Sequence, residues 1–132
     1  SFGPWFEPHA QHLITIPELY LDLLKAMKRS HGFNQVQIIE SIINGERNCI
    51  VVRGLVLLSE INSSESIEIV GSYLATHELR YIRRHAAEYM GEAGHLAGLP
   101  FLRQASNDIS NGVRTSAKRS LEGILKARSV VL

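Results

Sequence analysis

GLPFLRQASNDISNGVRTSAKRSLEGIL, residues 98–125, decides how the rest of the chain is read. Leu99-Pro100 opens a short helix, because proline is tolerated in a first turn whose N–H groups lack intrahelical partners anyway. Asn107-Asp108 supplies a polar turn, and a longer helix starts at Val113-Arg114. That start has two precursors: Val52-Arg53, Ile82-Arg83 and Val113-Arg114 stand 30 and then 31 residues apart. A β-branched residue followed by arginine at a near-constant interval is the mark of a stacked helical array. The partner of such an array is not written in these residues.

The segments upstream repeat the same texture. Residues 1–15 combine two prolines, Gly3 and the aromatics Phe2, Trp5 and Phe6, a composition that reads as an irregular N-terminal cap or as a linker. A helical domain then occupies residues 16–132. Its first helix starts at Pro17, with Ile16, Tyr20, Leu23, Leu24 and Met27 on one face and Gly32 as its stop. A second runs over about 34–44 and a third over about 47–61, the latter so apolar that neighbours are expected to cover it on most sides. Ser64 is placed as the cap of a fourth helix whose core face is Ile67, Val70 and Leu74. A fifth spans about 78–92, burying Leu79, Ile82, Ala86 and Tyr89 or Met90. The sixth covers about 99–107. The seventh covers about 111–127, burying Val113, Ala117, Leu121 and Ile124 or Leu125. No window alternates with period two, so the layout is all-α, about seven helices with antiparallel neighbours.

At Leu99-Pro100-x-Leu102, Asp108, Val113-Arg114-x-x-Ala117 and Leu121 the chain resembles a HEAT repeat, of the short variety also found in phycobilin lyases. The resemblance covers about residues 33–127 and implies a right-handed α-α superhelix of roughly three repeats. It also implies an Asp in the turn and an Arg six residues later that link adjacent turns by hydrogen bonds. Asp108 and Arg114 have that spacing, whereas six residues before Arg83 stands His77 and six before Arg53 stands Arg47. Arg53, Arg83, Asp108 and Arg114 are the structural repeat positions on this reading. A family name of this kind specifies shape and not chemistry.

Composition narrows the function classes. Fourteen basic against thirteen acidic residues give no bias toward nucleic acid, but five of the basic and eight of the acidic ones fall in residues 1–77, so the chain is polarised along its length. The single cysteine, Cys49, rules out an internal disulfide and suits a reducing compartment, hence a cytoplasmic location; beside Ile50-Val51-Val52 it reads as a buried thiol. No apolar run approaches the roughly 20 residues needed to cross a bilayer. Opening on Ser1 rather than Met, the chain is expected to be a fragment of a longer one.

Candidate chemistry is sparse. His9 and His12 share an i, i+3 spacing without a visible third ligand, so neither a metal nor another cofactor is expected. His77, His85 and His95 lack a nucleophile to activate. Gly91, Gly94 and Gly98 in EYMGEAGHLAGLP follow no strand and precede no Lys-Ser/Thr, so they end a helix rather than cradle a phosphate. What stands out is charge: Arg80, Arg84 and Glu88 avoid the apolar stripe of the fifth helix, and Lys118, Arg119 and Glu122 that of the seventh. The second helix of each HEAT-like unit lines the concave face, so the resemblance places these six residues in a groove. The leading expectation is a non-enzymatic interaction or scaffold module that holds an acidic partner segment, or another domain of its parent chain, there. A HEAT-like bilin lyase, a repeat-type DNA glycosylase and a nucleic-acid binder are the alternatives. Self-association through Val130-Val131-Leu132 or the aromatic N-terminus is a further expectation.

Overall fold

The computed structural model describes residues 35–131. Among them are six α-helices and one 3-10 turn: α1 Gln35–Ile43, α2 Asn48–Ile61, α3 Ser64–Thr76, α4 Arg80–Ala93, the turn Leu96–Gly98, α5 Leu99–Ala105 and α6 Asn111–Val131. The described residues contain no strand. The cap or linker expected over 1–15 and the helix expected from Pro17 lie outside them, so the six observed helices are the second to seventh read from sequence.

Local chemistry sets the helix ends. Ser63, not Ser64, caps α3: its side chain accepts the Ser66 N–H, and the Ser66 hydroxyl accepts the Ser63 N–H in return. Ser64 has Ile67 three residues on and cannot form such a reciprocal pair. Asn62 ends α2 in the left-handed region, with φ 55°, and its amide donates to the Ala93 carbonyl at the end of α4. Gly94 ends α4 with φ 68°, a conformation that glycine adopts without a Cβ penalty. His77 and His95 serve as local caps, their Nδ1 atoms accepting the N–H of Leu79 and of Ala97.

Packing follows a simple order. α1 packs on α2, α3 on α4 and α5 on α6, while α4 also packs on α2 and on α6, and α3 on α2 and on α5. No substantial contact joins α1 or α2 to α5 or α6. The buried core runs through all the pairs, from Ile39, Ile43 and Ile50 through Leu58, Ile67 and Val70 to Ile82, Met90, Leu102 and Val113. Several expected core residues behave differently. Leu79 is 40% exposed because it precedes the first turn of α4, and Leu125 is 43% exposed while its neighbour Ile124 is buried. Cys49 is exposed rather than buried: it shares with Val52, Arg53, Val56 and Glu60 the side of α2 that no helix fully covers.

The repeat register differs from the sequence reading. The first intrahelical bonds of α2, α4 and α6 run from Val51, Arg83 and Arg114 N–H to the carbonyls of Arg47, Leu79 and Ser110, so the three helices start 32 and then 31 residues apart. The buried sets agree: Ile50, Val51, Gly54, Leu55 and Leu58 on α2 superpose on Ile82, Arg83, Ala86, Ala87 and Met90 on α4. The counterpart of Arg83 on α2 is therefore Val51. Arg53 stands two positions on, which on a helix turns a side chain by about 200°. The 30-residue interval in the sequence pairs residues that do not share a place in the fold.

Candidate interaction groove

Two arginines anchor the turns that lead into α4 and α6. Arg83 Nη1 donates to the carbonyls of His77 and Glu78 at 2.8 and 3.1 Å, six and five residues back. Arg114 Nη1 donates to the carbonyls of Asp108 and Ile109 at the same offsets, also at 2.8 and 3.1 Å. The acceptors are backbone oxygens, and the side chain at this place in each turn accepts the N–H two residues on, from Leu79 to His77 Nδ1 and from Ser110 to Asp108, which is why a histidine can stand where the later turn has Asp108. The other edge of Arg83 crosses to the next unit. Its Nε and Nη2 take the two oxygens of Asp108 at 2.9 and 3.0 Å, a bidentate pair with side chains only 10% and 12% exposed. Asp108 also accepts the Ser110 N–H at 2.8 Å. The residue that links adjacent turns through the Asp108 carboxylate is thus Arg83, while Arg114 holds its own turn.

Burial alone would raise the Asp108 pKa. The Arg83 and Ser110 hydrogen bonds and the charges of Arg83 and Arg114 outweigh it, leaving the carboxyl below its ordinary 3.8. A carboxyl that releases its proton more readily when folded stabilises the fold above its unfolded pKa, and that contribution disappears as pH falls through the folded value. Melting temperature measured from pH 6 down to 2.5 is expected to drop below about pH 4, and Asp108→Asn is expected to flatten that acid limb.

α4 and α6 pack closely at Gly91, where a methyl group would overlap the Ser120 side chain, and the Ser120 hydroxyl donates to the Ala87 carbonyl at 2.9 Å. Around this crossing lies an open crevice lined by His85, Glu88, Tyr89, Gly91 and Glu92 on α4 and Ser116, Arg119, Ser120 and Gly123 on α6. Tyr81, His85 and Tyr89 form an aromatic ladder along α4, with ring centroids 4.5 Å and 5.6 Å apart. His85 Nδ1 is enclosed without a hydrogen-bond partner, 3.7 Å from a Glu88 oxygen.

Of the six residues expected to share the groove, the crevice takes Glu88 and Arg119. Arg84 lies with its methylene chain beside Gly112, at the start of α6, and Arg80 is exposed one turn earlier. Lys118 and Glu122 are exposed on α6 outside the crevice lining. Lys118 holds the register position of Ala87, which is buried on α4, so it marks the far side of α6 rather than the groove. The expected cations therefore do not converge, and two carboxylates, Glu88 and Glu92, enter the lining. The signal for the aromatic ladder in the sequence is the recurrence of Tyr81, His85 and Tyr89 at i, i+4 and i+8.

Among the described residues no three of His, Cys, Asp and Glu lie close enough to hold a metal ion, and no helix is long and apolar enough to cross a membrane. Protein-family models, curated proteins and solved structures provide no match to the chain.

Proposed function

We propose that the chain is a non-enzymatic interaction module: a short HEAT-like solenoid, right-handed in its superhelix, whose α2, α4 and α6 lay a concave groove open to a partner segment or to another domain of its parent chain. The observation that carries this reading is the neighbour-to-neighbour packing of helix pairs, with the arginine fork repeated at Arg83 and Arg114. An array built this way holds its exposed rows rigidly, so a ligand loses little entropy to ordering the protein. Arg84 and Arg119 are exposed cations on the open side and suit an acidic element in the partner. Glu88 and Glu92 disfavour a phosphate backbone laid along the same face.

The test is to select binding peptides from a displayed random library against the chain and measure them on variants. Gly123→Phe fills the crevice from a position where a new Cβ meets nothing within 4 Å, and it is expected to abolish binding without loss of helicity. Arg84→Glu with Arg119→Glu is expected to weaken acidic ligands about tenfold or more, about 1.4 kcal/mol, with melting temperature nearly unchanged. Ligands indifferent to both variants would remove the groove assignment.

A further inference from the structure

We propose that the open face of α4 and α6 takes an extended partner segment of mixed charge, with an acidic side chain over Arg84 and a basic one in the crevice beside Glu88, Glu92 and Tyr89. This rests on the groove reading above and adds the partner's chemistry to it.

The charge order of α4 is the first ground. Arg80, Arg83 and Arg84 occupy its opening turn and Glu88 and Glu92 its later ones, with no acidic residue in the first turn and no basic residue in the last. That order runs against the helix macrodipole, which favours acids at the N-terminus and bases at the C-terminus. Only Arg83 has a structural explanation, through Asp108. Among the described residues Arg80, Arg84, Glu92 and Arg119 make no ion pair, and Glu88 has only His85 at 3.7 Å. Local preferences are overridden without internal compensation where a surface serves a ligand. The result is a face positive toward the start of α4 and net negative toward its end, where the crevice sets Glu88 and Glu92 against the one arginine of its lining, Arg119.

The negative end also has an aromatic wall. A cation entering beside Glu88 and Glu92 meets the Tyr89 ring, and a cation over a tyrosine face is attracted by the ring quadrupole. Burial raises the Tyr89 pKa first, and the Glu88 and Glu92 carboxylates raise it further, so both acids are felt at its hydroxyl. The partner's spacing follows from helix geometry. Arg84 and Glu92 are eight residues apart on α4, about 12 Å at 1.5 Å per residue. An extended chain covers that distance in about four residues.

Three acetylated and amidated peptides test this by titration into the 15N-labelled chain, each followed by amide shifts: Gly-Asp-Gly-Ser-Gly-Arg-Gly, its Asp/Asp form and its Arg/Arg form. The mixed peptide is expected to give saturable shifts over residues 84–92 and 116–123, with a Kd about fivefold or more below either same-charge peptide. Glu88→Gln with Glu92→Gln is expected to erase its advantage over the acidic peptide, and Arg84→Gln its advantage over the basic one. Equal affinity for all three peptides, or an advantage that survives both variants, would overturn the proposal. Tightest binding by the acidic peptide would overturn it too while leaving the interaction groove standing. Absence of saturable shifts up to about 10 mM of every peptide would also overturn it, and ligands selected on the wild type and lost with Gly123→Phe would still support the groove alone.

Discussion

Asp108→Ala is expected to lower the unfolding free energy by about 3–5 kcal/mol, because it leaves the Arg83 guanidinium largely buried beside an empty position. Arg83 would keep its two bonds to the carbonyls of His77 and Glu78 but lose both contacts to the next unit. For a domain of this size the loss corresponds to a fall in melting temperature on the order of 10 °C or more. Arg83→Lys is expected to recover only part of what Arg83→Ala loses, since a lysine presents a point charge where Asp108 takes a planar fork through both oxygens. A chemical denaturation series on Asp108→Ala, Asp108→Asn, Arg83→Ala and Arg83→Lys checks the ordering. A change under about 1 kcal/mol for Asp108→Ala would mean that the pair is solvated and that the units are held by apolar packing alone.

Gly91→Ala is the second large effect. Alanine is the better helix former by about 1 kcal/mol, so helix propensity alone predicts a more stable protein. The crossing predicts the opposite, since a methyl at 91 meets the Ser120 side chain and stands 3.1 Å from the Ser120 Cα, a backbone atom that moves only with α6 itself. Overpacking of this kind costs about 1–3 kcal/mol, and the net change is expected to be destabilising. Gly123 is the control on the other wall of the same crevice. It is helical, and nothing lies within 4 Å of an added Cβ. Gly123→Ala is therefore expected to stabilise by about 0.5–1 kcal/mol. Thermal melts of the two variants should move in opposite directions. Two stabilised variants would show that α4 and α6 do not approach as closely as described.

What could be read from sequence was the part decided within one turn of the chain. Ile67, Val70 and Leu74 share a helical face and all three are buried, and Pro100 falls in the opening turn of α5. The pairing of Arg83 with Asp108 was not readable, because the two are 25 residues apart and meet only once α3 to α6 have packed. The resemblance that singled out Asp108 and Arg114 implies turn-holding bonds of the kind seen from Arg114 to the Asp108 carbonyl and from the Ser110 N–H to the Asp108 carboxylate, but does not point to Arg83 as the carboxylate's side-chain partner. Register failed for a related reason. The doublet Val52-Arg53 fits the interval, but the buried face of α2 is fixed by contacts with α1, α3 and α4, and those put Val51 in the arginine's place. The groove suffered most, since its membership depends on which side of α6 faces α4. Lys118 and Arg119 are adjacent in sequence and lie about 100° apart on the helix, so only Arg119 lines the crevice.

Cys49 offers the most direct test of the stacked arrangement, because it is exposed and is the sole cysteine of the chain. By register, Gly112 on α6 is its counterpart two helices away, with Tyr81 of α4 between them, and all three are exposed. Spin labels on Cys49 and on Gly112→Cys allow the α2 to α6 separation to be measured by electron–electron dipolar spectroscopy. Helices laid side by side with α4 in the middle predict two interaxial spacings, roughly 16–20 Å plus label length. A distribution centred at one spacing, roughly 8–10 Å plus the same label length, would place α6 directly on α2 in a closed bundle and contradict the array.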